Sequence, residues 1–315
     1  MRALRVTAQI VYAMIVSCLV DSDHVVMIEP GYTKPVLTPE AQRHPLQTGV
    51  VLDRTLDRNH DQCYFLYIPR KGGAGAPVFI SVHGISGNAH EHATQFAPFA
   101  ERYGVVLIAP LFPRERFPDY QRLTRCLPQN KNRRADHALQ RMVAEVGALT
   151  DAKTDRLYLF GYSGGGQFVH RYAMVYPSQI ARYVVGAAGW YTFPDTTVKY
   201  PRGIKARADL PDIQFDPCRF LTVPASVFVG DRDVRAGTAL NKSSRIEQQQ
   251  GTTRLERGKR WVHAMAEAAK RHHLDTKFDF QTLPDSGHSF RRSMKRGNMG
   301  TVVFERLFGS DTDPR

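Results

Sequence analysis

The segment Arg156–Gln167, RLYLFGYSGGGQ, constrains this chain more than any other stretch. An apolar run, Leu157–Phe160, of the kind that forms a buried strand leads straight into Gly161-Tyr162-Ser163-Gly164-Gly165, and an amphipathic stretch follows. A G-x-S-x-G set between a strand and a helix demands a sharp turn, with the serine in strained backbone angles and its hydroxyl clear at the tip. The residues two before and two after the serine crowd each other, and glycine at both places relieves the clash. The Gly164 N–H then lies at a helix N-terminus, where backbone amides can hold a developing oxyanion. A plain Gly-Ser loop needs neither the strand before nor the helix after.

A serine hydroxyl alone is a poor nucleophile, so a base must take its proton and an acid must orient that base. With this turn the expected chain order is Ser, then Asp or Glu, then His. Downstream, Ala225–Gly230 reads as a buried strand that ends in Asp231-Arg232-Asp233-Val234. Carboxylates just past a strand's carboxyl end sit where α/β folds bind ligands. Asp233 has the preferred Gly-x-x-Asp spacing from Gly230, and Asp231 stays open as the alternative, otherwise a turn-former. A later strand, Lys277–Leu283, runs into Pro284-Asp285-Ser286-Gly287-His288, so His288 is the expected base by order and position. His90 and His92 flank Glu91 and form an H-x-H, but no further ligand cluster accompanies them; they are expected in an exposed first helical turn and no metal is expected. Pro77–Val82 is the strand that should supply the second oxyanion donor from its following loop, His83-Gly84-Ile85. The amide of Ile85 is the candidate, and His83 is expected to fix the loop by hydrogen bonding.

Short, nearly continuous apolar runs recur at 63–68, 78–82, 105–109, 157–160, 183–187, 225–229 and 278–283. Such runs suit parallel strands buried on both faces. Helical patterns alternate with them at 135–149, 167–176, 252–274 and 299–308. Alternating β and α units predict an α/β domain over residues 61–309, with a mostly parallel central sheet, helices on both faces and a small loop-rich lid. No internal repeat and no phosphate-cradling glycine loop accompanies them. Two connections are long, 110–134 and 189–223, and both leave strand carboxyl ends. In the second, the lid-like one, Trp190, Tyr191 and Phe193 either form a substrate-binding aromatic wall or small lid, or a local cluster without substrate contact. In the first, Arg114, Arg116, Arg122 and Arg125 either meet an acidic substrate group or form a solvated basic surface.

The N-terminus carries Arg2 and Arg5 before an apolar Ile10–Val20. That pattern reads as a signal peptide over residues 1–22 and is too short for an ordinary membrane span. Residues 15–18, Ile-Val-Ser-Cys, resemble a lipobox, which would put a lipid anchor at Cys18 and the protein in the periplasm, outside the cell or on a membrane surface. A true start near Met27 would instead leave it cytoplasmic. Residues 23–60 read as an N-terminal segment and 310–315 as a tail. Beyond Cys18 there are Cys63, Cys126 and Cys218; export would permit a Cys126–Cys218 pair with one thiol left over. The net charge of +13 favours anionic surfaces or substrates. The basic residues are dispersed and no nucleic-acid-binding motif accompanies them, so no nucleic-acid partner is expected.

Taken together, the His83-Gly84 loop, the GYSGG turn and the Gly287-His288 turn resemble those of the α/β-hydrolase superfamily, over about 64–308. They are similar to bacterial serine esterases of the feruloyl-esterase and polyhydroxyalkanoate-depolymerase-like group. One departure is Ile85, where depolymerases of that group often carry cysteine after the His-Gly pair. The resemblance implies carboxylic-ester hydrolysis on a small-molecule or polymeric ester, through Ser163, His288 and Asp233, without a cofactor. A thioesterase, amidase or peptidase of the same fold is the alternative, as is a non-catalytic binding protein, because fold alone does not set function.

Overall fold

Eight strands form one sheet, because each brings either a continuous apolar run or an alternating edge pattern. They are β1 (Val51–Leu56), β2 (Asn59–Tyr67), β3 (Pro77–Val82), β4 (Val106–Pro110), β5 (Lys153–Tyr162), β6 (Ile180–Gly186), β7 (Ala225–Gly230) and β8 (Phe278–Leu283). The computed structural model describes residues 46–56, 59–123, 134–210, 212–234, 237 and 240–309. The expected signal peptide, Cys18 and Cys126 lie outside those residues. The sheet order is β1-β2-β4-β3-β5-β6-β7-β8. β2 pairs antiparallel with β1 and with β4, and every pairing from β4 through β8 is parallel.

Burial follows position in the sheet. Every residue of β4 and β7 is buried, as is all of β3 after Pro77, whereas β1 and β8 at the two edges are mostly half-buried. Strands covered on both faces have no side that can be polar. The helices are α1 (Ala89–Tyr103), α2 (Ala135–Thr150), α3 (Gly164–Val175), α4 (Pro217–Phe220), α5 (Ser244–Gln250), α6 (Arg254–Arg271), α7 (Phe290–Lys295) and α8 (Met299–Phe308). Alternate strand residues enter two separate cores. Ile80, Leu159, Val185 and Val227 pack with Leu139 and Met142 of α2, Phe168 of α3 and Trp261 of α6. Phe79, Phe160, Val184 and Phe228 pack with Phe96 of α1 and Val303 and Phe304 of α8. Helices therefore cover both faces of the sheet, and fully burying one such apolar side chain contributes about 1.5–3 kcal/mol.

Strand β1 and the short helices α4, α5 and α7 have no counterpart in the sequence expectation. Strand β1 has no apolar run, because VLDRTL is an edge strand with only its end buried. Helix α1 continues past the expected first turn and through Pro98, with Ala89, His92, Ala93, Phe96 and Ala100 as a buried stripe at helical spacing. It ends at Gly104, whose φ of 65° and amide bonds to the last carbonyls close the helix. No helix among the described residues is long and apolar enough to cross a membrane. Among them Cys63 and Cys218 are free thiols.

Candidate active site

The carboxyl ends of β3, β5, β7 and β8 open on one edge of the sheet, and the expected site residues emerge there. Strand β5 ends at Tyr162 and α3 starts at Gly164, so Ser163 alone makes the turn, with φ 55° and ψ −111°. A non-glycine residue in that region costs about 1–3 kcal/mol and persists only where its surroundings hold it. They do. The Ser163 N–H donates to the Gly186 carbonyl at 2.7 Å, and the Ser163 carbonyl accepts from Gln167 N–H at 3.1 Å. A Cβ on Gly161 would collide with the Gly165 carbonyl, and one on Gly165 with the Val82 carbonyl of the neighbouring strand.

The Ser163 hydroxyl lies 3.0 Å from His288 Nε2, and His288 Nδ1 lies 2.9 Å from Asp233 Oδ2. His288 sits between Gly287 and Ser289, where the chain leaves β8 and enters α7. Its ring stacks on Tyr162 at 5.5 Å between centroids and 25° between planes. With Nδ1–H donating to the carboxylate, Nε2 is left as the acceptor facing the hydroxyl. Asp233 is 4% exposed, and its second oxygen, Oδ1, accepts from Arg254 Nη1 at 3.1 Å.

Asp231 meets other partners. Its two oxygens accept from the Asp285 and Ser286 amides, each at 3.1 Å. Arg232 N–H returns a bond to the Ser286 carbonyl, and Asp231 N–H donates to Leu283 O. The Arg232 side chain pairs with Asp285 across the same turn. Of the two aspartates, Asp233 contacts the imidazole and Asp231 organises the turn that carries it.

The loop after β3 lies against the serine. A Cβ on Gly84 would stand 3.4 Å from Ser163 Cβ. A Cβ on Gly164 would meet Tyr120 Oη at 2.5 Å, Gln121 Nε2 at 3.0 Å and Ile85 Cγ2 at 3.2 Å. Gly164 and Ile85 thus share one side of Ser163, and among the described residues neither amide donates to a backbone carbonyl. His83 holds this loop. Its Nε2 accepts from Phe112 N–H at 3.0 Å, so Nδ1 carries the proton and donates to Gly84 O at 2.6 Å. Burial holds its imidazole below the usual histidine value, which keeps the ring neutral. Tyr120 Oη donates to the His83 carbonyl at 3.0 Å from the opposite connection. Tyr120 and Gln121 were not among the candidates. They lie on a long loop with no motif, and the only available signal was that the loop leaves β4 at the active edge.

The aromatic wall expected from Trp190 and Tyr191 is not open. Trp190 is buried under two guanidinium groups, Arg171 at 4.4 Å and Arg122 at 5.7 Å from its ring. Tyr191 is fully buried and stacks on Trp261 at 5.1 Å. Its backbone is pinned by the Gln250 carboxamide, which accepts from Tyr191 N–H at 2.8 Å and donates to Tyr191 O at 2.9 Å. Phe193 is half-buried against the same core. These aromatic rings turn inward to the core. Arg171 anchors this region. It donates to Thr192 Oγ1, Gln121 O and Gln167 O. Burial pulls its guanidinium down to about 10.

The H-x-H pair also separates. His90 is exposed, but His92 is fully buried and stacks on Phe290 at 3.7 Å, so the expected exposed first turn holds for only one of them. The reason is helical spacing, which puts His92 on the apolar stripe with Phe96. Among the described residues no three His, Cys, Asp or Glu side chains cluster as metal ligands.

Solved structures share this fold. A poly(aspartic acid) hydrolase-1 from Sphingomonas sp. KT-1 is similar over 84% of this chain and 100% of its own, at 22% identity and a TM-score of 0.68. LpqC, a poly(3-hydroxybutyrate) depolymerase from Bordetella parapertussis, is similar over 84% of this chain and 92% of its own, at 24% identity and a TM-score of 0.65. An S-formylglutathione hydrolase from Agrobacterium tumefaciens covers 82% of this chain and 94% of its own, at 16% identity and a TM-score of 0.54. No curated protein matches by sequence. The family model of the dienelactone hydrolases matches residues 64–239, more than half of the chain, from within β2 through the serine turn and past Asp233. A serine at the strained turn, a histidine and an aspartate beside it, and that match make this chain a member of the dienelactone hydrolase family within the α/β-hydrolase superfamily.

Proposed function

We propose that the protein is a serine esterase that cleaves carboxylic esters through an acyl-enzyme. The observation that carries the reading is the unbroken line of contacts from Ser163 Oγ to His288 to Asp233, at 3.0 and 2.9 Å. Such spacing is hydrogen-bond reach for a general base. In the proposed first step His288 Nε2 takes the Ser163 proton as Oγ bonds to the ester carbonyl carbon. The carbonyl electrons move onto oxygen, and the Gly164 and Ile85 amides receive that oxyanion. One such donor is worth on the order of 3 kcal/mol. The imidazolium, steadied by Asp233, then protonates the leaving alkoxide as the C–O bond breaks. Water repeats the sequence on the acyl-serine and releases the acid.

The test is direct. Ser163→Ala is expected to abolish hydrolysis of p-nitrophenyl acetate and covalent labelling by a fluorophosphonate while the protein stays folded. Labelling retained in that variant moves the nucleophile elsewhere. Parallel assays on a thioester and an anilide separate ester specificity from the other leaving groups this geometry accepts. Export belongs to the same proposal and rests on Arg2, Arg5 and the apolar Ile10–Val20. The intact mass of the native protein tests it, because an uncleaved N-terminus contradicts it.

A further inference from the structure

We propose that Arg254 is a positioning residue for the acid–base pair: it locks the plane of the Asp233 carboxylate so that Oδ2 stays on His288 Nδ1. The inference rests on the serine-esterase reading and adds a fourth residue to it. Asp233 divides its two oxygens between two partners, Oδ2 to His288 at 2.9 Å and Oδ1 to Arg254 Nη1 at 3.1 Å. The Asp233 and Arg254 side chains are only 3% and 4% exposed, so water does not compete for either oxygen.

The torsion that turns an aspartate carboxyl group is broad and roughly two-fold. Held by the imidazole alone, the carboxylate can rock about that torsion and carry the ring with it. A charge-assisted bond on the other oxygen removes this freedom, because any rotation that loosens one contact also strains the second. The main chain is held separately, with Asp233 N–H donating to Gly230 O at 3.0 Å.

Arg254 is itself held firmly. It is the first residue of the 18-residue α6, and Thr253 and Glu256 close a capping box around that start. The Glu256 N–H donates to Thr253 Oγ1 at 3.2 Å, and Glu256 Oε2 accepts from the amides of Thr252 and Thr253. One turn on, Arg257 is fully buried and donates to the carbonyls of Gly251, Gly189 and Asn241, which ties the same helix end to the loops around the site. Among the described residues Arg254 Nε has no hydrogen-bond partner. A buried ion pair is a poor source of stability, more so when one of its donors goes unmet. What this pair supplies is the orientation of one carboxylate.

The experiment uses the full chain with Arg254→Met and Arg254→Lys. Steady-state kinetics on p-nitrophenyl acetate are read alongside the low-field proton resonance of the His288 Nδ1–H, assigned by its loss in His288→Gln. Arg254→Met is expected to lower kcat about 10- to 100-fold, the range that small misplacements of catalytic groups produce, with little change in KM. It is also expected to shift or broaden the low-field resonance. Arg254→Lys, which keeps one charged donor, recovers part of both. Arg254→Gln takes the same measurements if the methionine variant fails to fold. Unchanged kcat and an unchanged resonance overturn the proposal. So does an equal loss in all variants with the resonance intact, which is the mark of a merely structural role. The resonance needs no turnover, so it tests Arg254 even if the wild-type protein proves inert to the fluorophosphonate, a result that sinks the esterase reading itself.

Discussion

Asp231 and Asp233 are two residues apart and face opposite tasks. One accepts from two backbone amides of the β8 turn; the other accepts from the imidazole and a guanidinium. Asparagine substitution separates them. Asp233→Asn is expected to lower kcat by about 10⁴-fold, since an amide facing Nδ1 favours the wrong tautomer. Asp231→Asn keeps the imidazole contact and loses one charge-assisted acceptor, so it is expected to cost about 1–3 kcal/mol of stability and less than about tenfold in kcat. Thermal unfolding and steady-state kinetics on both variants check this, and the reverse ranking reassigns the acid. Spacing in the sequence favoured Asp233 but could not exclude its neighbour. Two residues decide the matter only once the turn at 284–287 folds back onto β7.

At the scale of elements, strands buried on both faces advertise themselves, and seven of the eight were legible as apolar runs. Strand β1 was not, because an edge strand needs no apolar run. The short helices α4, α5 and α7 were not, because so few residues show no helical period. The site was legible where a motif is local, as at the Ser163 turn, or where chain order is fixed, as at His288. Arg254 was hidden because its partner lies 21 residues earlier and the two meet only through the direction of α6. Tyr191 stayed open between wall and inward cluster because a loop aromatic looks the same in sequence whether it faces out or in. The N-terminus of α6 gives a prediction at this scale. Thr253→Ala removes the cap that receives Glu256 N–H and is expected to cost about 1 kcal/mol. Its effect on kcat should be far smaller than that of Arg254→Met, because Arg257 and the ion pair to Asp233 still hold the first turn of α6. Denaturant midpoints and kinetics on the two variants check the contrast.

At the scale of the whole molecule, three histidines among the described residues are buried and neutral: His83 in the loop after β3, His92 on α1 and His170 on α3. Burial lowers all three below the reference value of 6.5, with repulsion from His83 adding at His92 and from Arg171 adding at His170. Their folded-state values lie under their unfolded ones, so below about pH 6.5 the unfolded chain binds more protons and stability falls as pH falls. Each contributes a slope of up to about 1.4 kcal/mol per pH unit until the folded ring itself titrates. The melting temperature is therefore expected to drop steeply from about pH 6.5 to about pH 5 and to stay nearly level just above that range. A flat profile through the acid range contradicts this account.

The clasp between β7 and β8 has a mechanical consequence. Asp231 grips the amides of residues 285 and 286, Arg232 N–H grips the Ser286 carbonyl, and a Cβ at Gly230 would have no room beside that carbonyl. His288 and Asp233 are therefore riveted into one piece, while Ser163 is mounted on another, the joint between β5 and α3. Any opening of this edge is therefore expected to part the Ser163 hydroxyl from the imidazole before it parts the imidazole from Asp233.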